Sequence, residues 1–438
     1  MPSISPLLSH ALRTAVRGRV FLPGDPEFDE ARRPWNRAIE QSPVAVVEPV
    51  DVDDVAALLR FATAHAVPVA TQPSGHGATG RASGAILLRT TQLNTVEIDP
   101  VTRVARVGAG VRVGALQEAA ATHALTALPG SSPVVSVAGV ALGGGLSWFG
   151  RAFGWIADSI QAADVVLADG TIRHIDASEP DLLWALRGGG GEIAIVTSLE
   201  MKLEPAPALF GGRILWPAVH TRAVAEAFRT MTRSAPAELT LWLSRLHYPG
   251  AEPMIAIDST FLGAKDDARA LMSAVDSLPA PFVDTRATMS VADIGTITAE
   301  PTSPSPGTSR GELLTHLDDD ALDAFVREPI APLVTVQLRH LRGALTQPSD
   351  SPHGTLIEPY AFFALGLPFS PELKEAITEK QAQLVASLPV SGRKPISFLS
   401  SSGRLSDALP EASLARLRGL KKMYDPAGII RGNFSLEE

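Results

Sequence analysis

Gln72-Pro73-Ser74-Gly75-His76-Gly77-Ala78-Thr79-Gly80 is the stretch on which the reading of this chain turns. The strand-like run Val67 to Ala70 feeds directly into it, and another apolar stretch, Ile86 to Leu88, follows. Pro73 with Gly75, Gly77 and Gly80 leaves it almost no helix or strand tendency, so it is a loop. Upstream, Val44 to Val47 is strand-like, and Val52 to His65 carries Val55, Leu58, Leu59 and Ala62 at helical spacing. Short strands and helices therefore alternate from Pro43 to Asp99, and a loop bearing one imidazole, His76, opens at the end of a strand.

Glycine dominates again further on. Val104 to Val107 is strand-like and leads through Gly108-Ala109-Gly110 into a helix-like run, Val113 to His123. The next glycine, Gly114, stands one place too late for G-x-G-x-x-G, and no acidic residue is suitably placed after a following strand. A tight turn is preferred to a dinucleotide fingerprint. From Leu128 to Gly154 come Gly130, Gly139 and Gly143-Gly144-Gly145 among small residues. Such a stretch builds little side-chain core, but it lets the backbone approach another object closely and leaves N–H groups free for phosphate. A strand from Ala162 to Leu167, the turn Asp169-Gly170 and a return strand from Ile172 to Ile175 follow. Leu182 to Leu186 is helix-like, Gly188 to Gly191 is a break, and Ile193 to Leu203 reads as strands. Glycine-rich stretches separated by strands point to a large phosphate-bearing cofactor laid across loops.

Composition narrows the partners. At 438 residues the chain exceeds one ordinary core, and 45% hydrophobic with 19% charged residues is a globular balance. A net charge of -9 disfavours nucleic acid and anionic membranes, which need a basic surface. A small-molecule partner is expected. Cysteine is absent, which removes disulfides, thiolate metal sites, cysteine nucleophiles and thioether-linked cofactors. His247, His316 and His340 lack the spacing of metal ligands, so no metal is expected. Ser74, Ser131 and Ser132 do not stand in G-x-S-x-G, which argues against a hydrolase nucleophile. Neither an export signal nor a run of about 18 apolar residues is recognisable, so a cytoplasmic enzyme is the expectation.

The character changes after Glu204-Pro205-Ala206-Pro207. Strand-like segments Leu239 to Leu246, Met254 to Ile257, Val334 to Leu338 and Tyr360 to Leu365 alternate with helical runs near Ala223 to Thr232, Asp266 to Leu278 and Pro371 to Ala386. That pattern predicts an α+β unit with a mainly antiparallel sheet. Ala412 to Lys422 is helical, and Tyr424-Asp425-Pro426 stops it.

Taken together, these segments resemble the berberine bridge enzyme-like branch of the vanillyl-alcohol oxidase superfamily. Pro73-Ser74-Gly75-His76-Gly77-Ala78 is similar to the loop whose His is joined to the 8α-methyl of the flavin. Gly130-Ser131-Ser132-Pro133, with Ser136, Gly139, Gly143 and Gly144, resembles the pyrophosphate-binding loop. Gly154-Trp155-Ile156-Ala157-Asp158, and Pro180 through Gly191 on to Ile193 and Val196, are similar to the family's most characteristic stretch, while Tyr424-Asp425-Pro426 with Asn433-Phe434 resembles its C-terminal return to the flavin. The resemblance implies an α+β fold with a two-lobed PCMH-type FAD-binding domain over residues 1–204, a substrate domain over 205–405 whose sheet covers the flavin, and a C-terminal segment, 406–438, returning to the first domain. It implies FAD, contacted by the residues just named and linked through His76. Where bicovalent members carry Cys, this chain has Ser132, whose hydroxyl cannot form a thioether, so one covalent link is expected. Gln72 and Ser74 also depart from the family's usual Arg and Gly. The alternative for His76 is a buried imidazole merely hydrogen-bonded in its loop.

The same resemblance places the catalytic base at Tyr360, on a strand running from Gly354 to Phe363. Strand alternation would put Glu358, Tyr360 and Phe362 on one face. The alternative is a sheet edge with a solvated Glu358 and a core Tyr360. A phenol needs a nearby cation to accept a proton at neutral pH, and Arg339 or His340 could supply one. Tyr248 is the other phenol candidate. The implied reaction is oxidation of a small organic substrate with electrons passing to O2; a scaffold that catalyses cyclisation or only binding is the rival.

Overall fold

The computed structural model describes residues 5–206 and 208–437, so Pro207 at the expected break lies outside the described residues. The fold is α+β. A mixed sheet of five strands takes the order Arg19–Phe21, Ala45–Glu48, Ile86–Leu88, Val69–Thr71, Ile430–Arg431. Its inner pairs are parallel, which requires crossovers, and the Val52–Ala64 helix supplies one of them. Asp51 caps that helix by accepting from Asp54 N–H. A second, antiparallel sheet contains Val96–Asp99, Val104–Gly108, Ile195–Lys202, Ile160–Val166 and Ile172–Ile175. Both sheets bury apolar faces against the helices beside them.

The chain end closes the first sheet. The helix Glu411–Tyr424 presents Lys421, whose ammonium donates to Glu192 O at 2.7 Å, Ile430 O at 2.5 Å and the Asp425 carboxylate at 2.6 Å. Asp425 in turn accepts from the Ile429 and Ile430 N–H groups at 2.8 and 2.7 Å. This buried ion pair leaves no hydrogen of the ammonium unused and holds Ile430–Arg431 parallel to Val69–Thr71, the strand that leads into the His76 loop.

The third sheet is antiparallel along its main path: Val283–Asp284, Phe210–Pro217, Met254–Phe261, Leu239–Leu246, Thr335–His340, Tyr360–Gly366, Thr308–Leu314. One face packs on the helices Thr221–Ser234, Asp319–Arg327 and Pro371–Ala386, burying Leu241, Leu243, Leu338, Tyr360 and Phe362. The other face carries Trp242, which stacks on Trp148 of the glycine-rich segment with ring centres 3.7 Å apart. Two of these strands, Phe210–Pro217 and Thr308–Leu314, escape the sequence pattern because glycine interrupts them. At Gly311 a side chain would overlap the Phe398 ring, and at Gly212 it would press on the Arg286 backbone.

Arg151, in the short helix Gly150–Phe153, fastens the third sheet to the rest. Its guanidinium is buried and donates to Leu239 O at 2.8 Å, Ala235 O at 2.9 Å, Pro236 O at 3.0 Å, Leu341 O and His340 Nε2 at 3.0 Å. All five donors are used. His340 must therefore present a lone pair at Nε2, and burial beside this cation pushes its pKa down to about 2. Arg151→Met is expected to destabilise the protein by at least about 3 kcal/mol, because several buried acceptors lose their donor at once. Thermal unfolding followed by circular dichroism measures this, and Arg151→Lys, with three donors, should recover only part of the loss.

Candidate functional site

Buried groups beneath it hold the His76 loop in place. Arg89, buried, donates to Gln72 O at 3.1 Å, Ala31 O at 3.2 Å and Arg33 O at 2.6 Å, and the Gln72 and Gln41 amides pair at 3.1 Å. Gln72 is therefore a buried residue whose amide is spent on Gln41. Gly75 has φ of +81°, and a side chain there would strike Pro34, so the loop needs glycine at this point. Trp35 N–H bonds Ser74 O at 3.0 Å, and the Trp35 ring stacks on His76 at 4.1 Å. Ser74 Oγ lies 2.8 Å from His76 Nδ1. His76 Nε2 and Trp35 Nε1 are buried without a hydrogen-bond partner. Burial, reinforced by the charge of Arg112, pushes the His76 pKa down to about 4, so the ring is neutral at physiological pH. Thr79 Oγ1 donates to Asn433 O at 2.7 Å, and a side chain at Gly77 would meet only Asn433 Nδ2. The chain end thus reaches the loop.

Arg112, whose charge acts on His76, forms an isolated bridge with Ser136 of the second loop. Ser136 Oγ caps the helix Val137–Leu142 by accepting from Gly139 N–H at 3.0 Å. Gly130, Ser131, Ser132 and Pro133 are partly exposed. Gly143 ends the helix, with Ile396 beside it. Gly144 has a packing reason of its own: at φ +86° a side chain would overlap the ring of His353, which is stacked on Trp155 at 4.8 Å. The same imidazole crowds Gly188. Gly191, at φ +75°, precedes Ile193 and Val196, whose side chains are core, leaving only their backbone for a ligand. Asp158 accepts from Ser349 Oγ at 3.0 Å.

The structure corrects the reading of the catalytic strand. It begins at Tyr360, and residues 354–359 are irregular, because Pro359 has no N–H for a ladder while its carbonyl accepts from Leu341. Glu358 therefore has no strand register with Tyr360. Its carboxylate is buried, 3.8 Å from Arg393, with Oε2 unpaired. Tyr360 lies on the helix-covered face: its hydroxyl bonds Thr232 at 2.7 Å and its ring meets Phe228 and His340. Burial pushes its pKa upward, away from the range of a base. The opposite face carries Arg213, Asp258, Ser244, Trp242, Gln337, Arg339 and Phe363. Alternation alone separates Arg339 from Tyr360, since His340, not Arg339, is Tyr360's neighbour in register. Tyr248 lies within reach of the charges of Arg213 and Asp258 on that face, and burial raises its pKa too.

Comparison with known proteins agrees with this geometry. The sequence profile of a family described as FAD binding domain matches residues 43–176. Over 452 aligned residues, 97% of each chain, the protein is 26% identical to (R)-6-hydroxynicotine oxidase of Paenarthrobacter nicotinovorans. Its fold superposes on Physcomitrella patens BBE-like 1 with a TM-score of 0.85 at 20% identity, covering 98% of both chains. It also superposes on glucooligosaccharide oxidase from Acremonium strictum, described as carrying a 6-S-cysteinyl, 8α-N1-histidyl FAD, at a TM-score of 0.82 and 20% identity over 98% of both chains. The chain is an FAD-dependent oxidoreductase. Its fold is that of the berberine bridge enzyme-like flavoproteins. The residues present suit FAD: unpartnered His76 Nε2 and Trp35 Nε1 lie at one loop, and at Gly130 in the second loop a side chain would meet only Leu146 O at 4.0 Å.

Two expectations follow. Tyr360→Phe should leave the rate of flavin reduction within about twofold and lower stability by about 1 kcal/mol, the worth of its bond to Thr232, as read by stopped-flow and thermal unfolding. The second concerns acid. His340 and His353 are buried, and burial lowers their pKa values to about 2 and about 4, while the unfolded chain titrates near the ordinary 6.5. Protons then bind the unfolded chain preferentially as pH falls below 6.5, and by pH 5 each group removes roughly 2 kcal/mol. Stability should be level above pH 7 and decline from 6.5 to 5, with His353→Gln showing a shallower decline.

Proposed function

We propose that the protein is an oxidase that removes two hydrogens from a small organic substrate, an alcohol, amine or activated C–H compound, and delivers them to O2 as H2O2. The observation that carries this reading is the His76 loop, with His76 Nε2 buried and unpaired, bonded to the returning Asn433 segment and lying within reach of the charge of Arg112, which bridges to Ser136. Similarity over nearly the whole length to an oxidase supports it. Residues 1–204 with 406–438 hold the cofactor in this reading, and 205–405 hold the substrate. When bound, FAD supplies the two-electron acceptor for the substrate C–H bond and the route to O2.

His76 carries the covalent link. Its lowered pKa keeps the imidazole unprotonated, which is the nucleophilic form, and Ser74 with Trp35 fixes the plane of the ring. His76 would hold the flavin through a ring nitrogen, and the two protons and two electrons given up on attachment would pass to O2 as H2O2. Ser132 stands where a second, sulfur link would need a thiol, so the attachment is single. On the other side, the face formed by Trp242, Gln337 and Arg339 receives the substrate and excludes water from it.

The purified protein should be yellow, and the colour should stay with the chain after acid precipitation. His76→Ala should release all of its flavin under the same treatment. Candidate alcohols, sugars and amines are then screened for anaerobic bleaching and for peroxide on re-aeration. Turnover of a compound with the flavin oxidised throughout would replace oxidation by cyclisation.

A further inference from the structure

We propose that Arg339 anchors an anionic oxygen of the substrate, so that the protein's substrate class is a carboxylate attached to a flat, apolar body. This deepens the oxidase reading above and rests on it. Arg339 stands opposite Trp242 in register, on the sheet face turned toward the glycine-rich segment. Its guanidinium lies over the Trp242 ring at 4.0 Å, with Phe363 at 4.9 Å and Phe398 at 5.7 Å. Ile396, two residues from Phe398, approaches Gly143. The aromatic box therefore sits at the seam between the sheet and the loops assigned to the cofactor.

The hydrogen-bond inventory singles this arginine out. Arg89 donates to three carbonyls and Arg245 to two, Arg151 to five acceptors, and Arg213 to the Asp258 carboxylate. Arg339 donates from Nε at 3.1 Å and Nη2 at 2.8 Å to a single neutral oxygen, Gln337 Oε1, and among the described residues its Nη1 has no partner. Nor can Asp258, the carboxylate two strands away on this face, serve it. Asp258 is held by Arg213 at 2.5 Å and by Ser244 Oγ at 2.9 Å, and Gln337 Nε2 reaches Ser244 at 3.4 Å to complete the row. Glu300 and Asp258 act on Arg339 only at a distance, and burial still lowers its pKa to about 10, which leaves it charged at neutral pH. The side chain is nonetheless only part-buried. Trp242 is sealed between Trp148 and the guanidinium, so the ring left for a ligand is the part-buried Phe363; a part-buried cation with an idle donor beside that ring favours an anion whose apolar body packs on it.

The test is calorimetric titration of the flavin-loaded protein with benzoate and with benzamide, its neutral isostere. Benzoate should bind at least about tenfold more tightly than benzamide. Arg339→Met should remove that preference by weakening benzoate about tenfold or more while leaving benzamide within about twofold. Arg339→Lys, which keeps the charge but loses the fork, should fall between, and it serves if the methionine variant does not fold. Equal binding of the two probes, or unchanged benzoate affinity in the variants, overturns the proposal. So does a variant that shifts the flavin spectrum without altering the benzoate preference, which would assign Arg339 to the cofactor. Binding of benzoate needs no turnover, so failure of the oxidase reading shows separately, as a flavin that no substrate bleaches.

Discussion

The buried guanidinium of Arg151 is the contact on which the arrangement of the site depends. Its charge cannot be left bare, and the acceptors that satisfy it are carbonyls at strand ends of the third sheet together with a neutral imidazole. Helix Gly150–Phe153 follows directly on the glycine-rich segment, so the same contact sets how that segment faces the sheet. The chain accommodates this from both sides: a side chain at Gly343 would overlap the Arg151 carbonyl, and the stack of Trp148 on Trp242 fills the neighbouring space. The box around Arg339 is walled by that same Trp242. A cation fully spent on structure thus stands close to one that is not.

Much of the geometry of the glycine-rich loops was legible because its signals are local. The glycines of the His76 loop, the capping Ser136 and the strand endings before them all act through backbone geometry within a few residues. The catalytic face was harder to read. Alternation divides Thr335–His340 and Tyr360–Gly366 into two sets of residues, but which set meets the cofactor side depends on where distant helices pack. Tyr360 fell on the face that Thr221–Ser234 covers, and Arg339 on the other. Glu358 was misplaced for a different reason, since Pro359 ends the ladder before it begins. Phe210–Pro217 and Thr308–Leu314 were hidden by glycines whose purpose, clearance for Arg286 and Phe398, exists only in the folded chain.

Several glycines that look like ligand contacts also serve packing, and the distinction bears on the chemistry. Gly144 and Gly188 make room for His353, which lies between the third-sheet strands Thr335–His340 and Tyr360–Gly366, so this imidazole packs that region against the glycine-rich loops. At Gly77 and Gly130 a side chain would meet a single atom each, Asn433 Nδ2 at 3.7 Å and Leu146 O at 4.0 Å. The histidines divide in the same way. His340 and His353 are sealed, and their lowered pKa values are costs carried by the fold. His76 is lowered as well, but it is only partly buried, is held in plane by Ser74 and Trp35, and keeps Nε2 unspent. Neutrality in the first two removes a charge from the core. In His76 it leaves a lone pair on a fixed ring, and that difference in surroundings, more than the histidine itself, is what favours it as the proposed anchor.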